Sequence, residues 1–314
     1  MIKSAIFAAF ILLVGCKPVV TVAPATTAAP PPKAAAVTTT APRAATTTTP
    51  TATSTKATTS LAATTTSTVQ ATTTTSTSTT VKPTPGTYPW HTKIVSTTFW
   101  VGELFNANAA DGSQVCSTYD SQWALHWSGI DSGQKAKAGT DCAGATLGGC
   151  DGVGGWQNCQ TESRMPPDFF PSFTPLQNPF YLDLPFDDLN NSAAKARRCT
   201  VIPWAPTPCS ATGNASYMKN RWVQIVGPNG ATCYGQVEDA GPGKYNDATY
   251  VFGATDARPQ STAFNNAGMD VSPALNGCLG FAELDGQGDL VNWKFVDVPP
   301  AGPWTKVITT SAAS

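Results

Sequence analysis

Acidic residues and tryptophan are absent from the first part of this chain of 314 residues. No Asp or Glu precedes Glu103, and no Trp precedes Trp90. Residues 1–90 hold 6 of the 19 basic residues and carry a charge of +6, which leaves 13 basic against 20 acidic residues, a charge of −7, for the remainder. Because non-specific nucleic-acid binding depends on an excess of Lys and Arg, the acidic remainder argues against a nucleic-acid partner.

Several catalytic signatures are also missing. The sequence contains no GxSxG, no Walker A loop and no HExxH motif. Its only histidines are His91 and His126, and His91 lies beside a low-complexity region, so a Ser-His-Asp triad would depend on His126. There is no CxxC pair, so a zinc site is only an alternative. We therefore expect carboxylates to supply any acid–base chemistry, and we expect neither a metal nor another cofactor.

The N-terminus has the features of an export signal. Lys3 supplies a positive charge, and Ala5 to Val14 form an apolar stretch that is too short to span a bilayer. The run Leu-Leu-Val-Gly-Cys that ends at Cys16 resembles the bacterial lipobox, in which the cysteine is lipidated. The resemblance implies a lipoprotein signal peptide over residues 1–16 and a lipid anchor at Cys16 in the cell envelope. The alternative is an ordinary signal peptide that contains a cysteine, and then the protein is secreted.

Eight cysteines remain if Cys16 is lipidated, and an even number in an exported chain predicts four disulfides. Proximity in sequence favours Cys199–Cys209 and Cys233–Cys278. The other four cysteines are then expected to pair among themselves; they are Cys116, Cys142, Cys150 and Cys159.

Composition divides the mature chain into a stalk and one domain. Residues 17–88 are mostly Thr, Ala, Pro, Ser and Val, with no acid, and cannot bury enough apolar surface to fold. We expect a disordered tether there, either with a functional reach or as a plain spacer. Residues 89–314 form the expected domain, which is long enough for a proper core. We expect this domain to be a monomer.

The domain has the texture of an all-β protein, with short runs rich in Val, Tyr, Phe and Trp between Gly, Pro, Asn and Asp. The Asn229-Gly230 step between two such runs is a strong hairpin signal. A short helix is expected over Asn190–Arg198, capped by Asp187 or Asp188. Residues 128–165 are rich in Gly and Cys, which predicts a disulfide-pinned loop insertion. The expected strands are Lys93–Val101, Asn220–Val226, Ala231–Glu238 and Leu290–Asp297.

Two segments carry the most specific pattern. Val237–Gly243 ends a predicted strand in Asp-Ala-Gly-Pro, and Gly268–Leu275 contains Asp-Val-Ser before a predicted short helix. In this order, with Ser96–Gly102 and Phe180–Phe186 upstream, they resemble the double-psi β-barrel proteins, such as the rare lipoprotein A family, the expansins and family-45 endoglucanases. The resemblance implies a mainly β, six-stranded double-psi β-barrel with disulfide-pinned loop insertions and one or two short helices.

The resemblance also implies an acidic groove that binds a polysaccharide, either peptidoglycan or a β-glucan. Asp270 and Asp239 match the two recurrent acids and become the candidate catalytic residues of a glycoside hydrolase or lytic transglycosylase. A non-hydrolytic, expansin-like binder is the alternative, and an adhesion or scaffold module is a third. Each acid also has a structural interpretation, Asp270 as a helix N-cap and Asp239 as a turn residue. Glu238 is expected on the opposite strand face from Asp239.

The remaining candidates combine acidic and aromatic groups, because sugar rings pack on aromatic faces. Rare lipoprotein A proteins carry a His shortly before Leu-Pro-Phe, whereas this chain has Tyr181 nearby and no His. That departure weakens the case for a lytic activity. Asp187 and Asp188 are further candidates for the rim of the groove. The expected substrate-binding residues are Asp120, Trp123, Trp127, Trp156, Tyr181 and Asp183.

Overall fold

The computed structural model describes residues 85–104, 114–156, 158–286 and 288–313. The signal peptide, Cys16 and nearly all of the expected stalk therefore lie outside the described residues. The strands are β1 His91–Thr98, β2 Asp131–Lys135, β3 Thr146–Gly148, β4 Tyr181–Asp183, β5 Trp222–Val226, β6 Thr232–Asp239, β7 Met269–Val271 and β8 Asp289–Val296. The helices are α1 Trp123–Ser128, α2 Ser192–Val201, α3 Ala248–Phe252 and α4 Pro273–Leu279, with 3-10 turns at Phe264–Asn266 and Pro303–Thr305.

Six strands close into a barrel in the order β1-β7-β4-β6-β5-β8, and β2 pairs with β3 in a separate hairpin. The pairs β1–β7 and β4–β6 are parallel, and the other barrel pairs are antiparallel. The ring has an internal two-fold pattern. Exchanging β1 with β6, β4 with β7 and β5 with β8 leaves every neighbour and every pair direction unchanged. The fold is thus a mainly β, closed, mixed six-stranded barrel, as the sequence predicts.

The β5–β6 hairpin confirms the strongest local prediction. Its strands pair from Val226 with Thr232 at the turn to Trp222 with Gln236 at the open end. Gly230 has a φ of 87°, which a residue without Cβ adopts at little cost. The predicted alternation in β8 is also present, since Val291, Trp293 and Phe295 are buried and the residues between them are partly exposed.

The barrel interior holds the main apolar core, and His91 is part of it. His91 opens β1, is fully buried, and stacks on Trp293 with ring centroids 4.1 Å apart. Burial lowers the pKa of His91 to about 4, so its imidazole is neutral at physiological pH. The described fold therefore reaches back at least to this strand, and His91 serves packing rather than catalysis.

The helices correct two predictions. The predicted helix forms over Ser192–Val201, but Asn191 caps it by accepting from the backbone N–H groups of Ala193 and Ala194. The prediction of Asp187 or Asp188 as the cap is wrong. The carboxylate of Asp187 accepts from the backbone N–H groups of Leu189 and Asn190. The carboxylate of Asp188 accepts from the hydroxyl of Ser216 and the backbone N–H of Tyr217. The described residues contain four short helices rather than one or two. None of them is long and apolar enough to cross a membrane.

Four disulfides pin the loops to the barrel. They are Cys116–Cys142, Cys150–Cys159, Cys199–Cys209 and Cys233–Cys278. This pairing confirms both predicted bridges and the predicted grouping of the other four cysteines. The first two bridges hold the expected loop insertion, which contains the β2–β3 hairpin. Four disulfides are typical of a protein in an oxidising, extracellular environment.

Candidate functional site

Three acidic residues lie side by side on three neighbouring barrel strands. Asp183 on β4 pairs with Asp270 on β7 on one side and with Asp239 on β6 on the other. On β1, the next strand, Thr97 pairs with Asp270. The two-fold pattern of the ring relates Asp183 to Asp270 and Thr97 to Asp239. The barrel topology thus brings into one row carboxylates that lie far apart in sequence, and we call Asp183, Asp239 and Asp270 the acid row.

Asp183 occupies the centre of the acid row. It is 4% exposed, and its Oδ1 accepts from the backbone N–H of Asp270 at 2.9 Å. Gly241 packs so closely on its Oδ2 that a Cβ there would clash. Burial, followed by the charges of Asp270 and Asp239, holds the pKa of Asp183 well above its ordinary value. This carboxyl is therefore neutral under conditions in which an exposed Asp is ionised.

Asp239 and Asp270 flank this neutral centre in unequal environments. Asp239 Oδ1 accepts from the backbone N–H groups of Thr118 and Ala240, both at 2.7 Å. Burial raises the pKa of Asp239, and these donors limit the rise to about 6. Asp270 Oδ1 is buried with no hydrogen-bond partner among the described residues. Burial, and secondly the charge of Asp239, raises the pKa of Asp270 to about 7. The two carboxyl groups thus differ in their contacts, because two backbone N–H donors favour the ionised form of Asp239 and Oδ1 of Asp270 has no such donor among the described residues.

The structural interpretation of Asp270 does not fit the geometry. Asp270 lies within β7, two residues before the helix cap. Ser272 caps α4 by accepting from the backbone N–H of Leu275 at 3.2 Å. Asp270 is therefore not needed to satisfy the helix N-terminus, and it lines a cavity together with Asp183 and Asp239.

The acid row opens into a cavity of about 660 Å³, within the usual size range of ligand pockets. Asp141 adds a fourth carboxylate to its wall, and the Cys116–Cys142 disulfide forms part of one side. An adjoining cavity of about 460 Å³ shares this side. The backbone of Thr118, which holds Asp239, belongs to the same wall.

Two aromatic residues of the lining were not among the sequence candidates. Tyr245 and Phe264 line the cavity and are 46% and 64% exposed. Tyr245 lies in a loop and Phe264 begins a 3-10 turn of three residues, so neither shows a strand or helix period in the sequence. Their one signal is position, because Tyr245 follows Asp239 by six residues and Phe264 precedes Asp270 by six.

Glu238 and Glu103 are acids outside the cavity lining. Glu238 is 2% exposed and sits where the β4–β6 register shifts, so it has no partner on β4. Burial raises its pKa to about 8, and the charges of Asp120 and Asp239 add to the rise. Burial also raises the pKa of Glu103 to about 8, with a smaller contribution from Asp270. Only Asp239 of the Glu238-Asp239 pair faces the cavity.

The aromatic candidates of the sequence lie elsewhere. Trp123 and Trp127 are 1% and 0% exposed and pack with Tyr181 in a second apolar cluster, against which the partly buried Trp156 rests. The hydroxyl of Tyr181 donates to Asp151 at 2.7 Å and accepts from the backbone N–H of Val101 at 3.0 Å. None of these four residues lines the cavity, and the burial of Trp123, Trp127 and Tyr181 is at odds with a role in sugar stacking.

Asp120 is also away from the acid row. It is 2% exposed, and its carboxylate binds Nδ1 of His126 at 2.8 Å and the backbone N–H of Gln122 at 2.9 Å. These contacts anchor the segment that leads into α1. Among the candidates, the structure brings together Asp183, Asp239 and Asp270. It places Asp120 just before the start of α1, where its contacts are structural.

Searches of family models, of curated proteins and of solved structures each find no match to this chain. In the described part of the chain, no group of three or more His, Cys, Asp or Glu is placed to hold a metal ion. The function must therefore be argued from the acid row and its cavity.

Proposed function

We propose that this chain is an exported protein that acts on a polysaccharide through the acid row, on a double-psi β-barrel of the rare lipoprotein A and expansin type. The two-fold pattern of the ring supports the fold, because it repeats a three-strand unit with a parallel pair in each half. The motif segments support it as well, since one ends β6 and the other forms β7 and the start of α4. The single observation that carries the function is the row of buried carboxylates open to a cavity.

The proposed chemistry is general acid–base cleavage of a glycosidic bond. Asp270, with the higher pKa, donates a proton to the leaving oxygen, and Asp239, held by two N–H donors, acts as the base. Their strands are two apart, so their Cα atoms are about 9–10 Å from each other. An inverting cleavage requires the carboxyl groups themselves to be about 6.5–9.5 Å apart, so that a water attacks the anomeric carbon and gives its proton to Asp239 as the glycosidic bond breaks.

Asp183 acts in this proposal as a positioning residue. It accepts from the backbone N–H of Asp270, and its neutral carboxyl separates the two flanking acids without adding a negative charge. If Asp183 were ionised, its charge would raise the pKa of both Asp239 and Asp270 further, which would oppose the ionisation that Asp239 needs to act as the base.

One observation favours a second candidate, a non-hydrolytic binder of the expansin type. Tyr181, which lies near the position of the histidine in rare lipoprotein A proteins, is fully buried and bound to Asp151. Tyr181 therefore does not replace that histidine at the cavity, which argues against the lytic chemistry of that family. The acids would then bind sugar hydroxyl groups without cleavage.

The two candidates separate in one experiment. The purified protein is incubated with peptidoglycan and with β-glucans, and the soluble products are analysed by mass spectrometry while the bound protein is measured by sedimentation with the polymer. Released fragments are the result expected for the enzyme. Co-sedimentation without fragments favours the binder. If the protein neither releases fragments from any polymer nor sediments with one, the proposed function is contradicted.

The lipid anchor is a separate proposal, supported by the lipobox-like run that ends at Cys16 and by four disulfides that fit an exported protein. Replacing Cys16→Ser removes the thiol that would be lipidated. We expect the variant to leave the membrane fraction and appear in the soluble fraction. An unchanged membrane fraction would contradict the anchor, whereas a Cys199→Ser variant serves as a cysteine control that keeps the anchor.

A further inference from the structure

Two exposed aromatic residues border the acid row. Tyr245 and Phe264 line the same cavity as Asp183, Asp239 and Asp270. Most aromatic residues of the barrel are buried in its two apolar clusters. Neither Tyr245 nor Phe264 packs against another ring in the described residues, so both present free apolar faces. Large apolar side chains exposed inside a polar cavity are the usual means of contacting an amphipathic ligand.

The backbone holds both rings in place by unusual conformations. Phe264, Asn265 and Asn266 have consecutive φ values of 50°, 57° and 62°, and Lys244, just before Tyr245, has a φ of 44°. Residues with a side chain adopt such φ values only at an energetic cost. The strained turn is closed by Ala267 N–H donating to Phe264 O at 3.0 Å, and Asp187 N–H donates to Tyr245 O at 2.8 Å.

The wall of the cavity carries acidic groups and no cation to balance the charge of those that ionise. Its described lining includes four carboxyl groups, from Asp141, Asp183, Asp239 and Asp270, of which that of Asp183 is neutral, and no Lys or Arg. Lys195 lines only the adjoining cavity. An acidic group on a ligand would meet this charge without a cation to offset it.

We propose that this cavity takes a pyranose chain that carries no acidic groups, with its sugar rings packed on Tyr245 and Phe264. The inference rests on the proposed function, and it narrows the substrate to neutral or amine-bearing glycans. Pyranose rings present flat C–H faces that suit aromatic side chains, while their hydroxyl groups donate to carboxylates. The acidic peptides of peptidoglycan and the carboxylates of polyuronates would be repelled. A β-glucan or an amino-sugar polymer therefore fits the cavity best.

The test measures dissociation constants of the full chain for three soluble oligosaccharides of equal length, built from β-linked glucose, β-linked glucosamine and galacturonate. We expect the first two to bind at least about tenfold more tightly than the third. Tyr245→Ala and Phe264→Ala should each weaken binding of the glucose oligomer by about tenfold. Tyr245→Phe keeps the ring and should stay within about twofold of the wild type. Trp90→Ala removes an aromatic residue of 39% exposure outside the cavity and is the matched control.

The outcomes separate the inference from the proposed function. Undiminished binding by both alanine variants, with the wild-type protein binding glycans, overturns the inference and leaves the proposed function standing. If the galacturonate oligomer binds more tightly than the glucose and glucosamine oligomers, the proposed exclusion of acidic glycans is overturned and the proposed function again stands. If the wild-type protein binds no glycan or polymer at all, both are contradicted. Melting temperatures of the variants exclude unfolding as the cause, because both side chains are largely exposed.

Discussion

Replacing Asp270 with Asn is expected to lower fragment release from the polysaccharide by about 100-fold or more, the usual contribution of a general acid. Asn has the shape of Asp but cannot donate a proton to the leaving oxygen. The carboxyl of Asp270 suits this role because burial raises its pKa to about 7 and leaves its Oδ1 without a partner. Initial rates of fragment release, measured at matched protein and polymer concentrations, test the expectation.

The pH dependence of the wild-type rate should be bell-shaped. Asp270 must be protonated to act as the acid, so the rate falls as the pH rises through about 7. Asp239 must be ionised to act as the base, so the rate falls as the pH drops through about 6. The two carboxyl groups interact electrostatically, so the two limbs of the pH profile report apparent pKa values of the pair rather than of either residue alone. We expect a narrow optimum between pH 6 and 7.

A variant of a fourth acid in the same cavity provides the control. Asp141 is exposed and lies on the wall, outside the acid row. Asp141→Asn replaces a carboxyl group on the wall of the same cavity with the same amide and should keep most of the rate. Equal losses in the two variants would mean that Asp270 contributes only charge, and the assignment of a general acid would then be wrong.

The sequence predicted those parts of the fold that depend on neighbouring residues. The β5–β6 hairpin follows from two alternating runs around Asn229-Gly230, and the pairing of Cys199 with Cys209 follows from their proximity. The ring order β1-β7-β4-β6-β5-β8 depends on pairs between distant segments. No local pattern determines that order, and the resemblance to a known barrel family implied only a closed barrel of six strands. Helices α1, α3 and α4 are too short to show a helical period.

Only the part of the candidate site that local sequence motifs mark was predicted. Asp239 and Asp270 stand in recognisable motifs, and Asp183 lies on the strand between them. Trp123 and Trp127 are surrounded in sequence by polar residues, which is typical of an exposed loop. They are four residues apart on α1, so one helical face turns both of them into the second cluster. Burial of that kind depends on tertiary packing, which polar sequence neighbours do not reveal.

Buried acids should make this protein less stable as the pH rises, and Glu238 gives the clearest case. Burial raises its pKa from an ordinary value near 4.5 to about 8, so the folded chain binds a proton more tightly there than the unfolded chain does. Stability is then fully present below pH 4.5 and is lost as the pH rises through 8. Asp239 and Asp270 act in the same direction at lower pH. Carboxylates with lowered pKa values, such as that of Asp297, lose stability only below about pH 4.

Glu238→Gln is therefore expected to raise the melting temperature at pH 9 and leave it almost unchanged at pH 4. Glutamine keeps the shape and neutrality of the protonated acid at every pH. Each pKa unit corresponds to about 1.4 kcal/mol, so the gain at pH 9 is on the order of 5 kcal/mol at most and roughly 10 °C in melting temperature. Glu283→Gln, at an exposed glutamate, is the matched control and should show no such dependence. Because Glu238 does not line the cavity, the variant should retain polysaccharide binding, which separates the cost of burying this acid from the function of the acid row. A melting temperature that rises equally at both pH values would show that Glu238 destabilises the fold by its shape rather than by its charge.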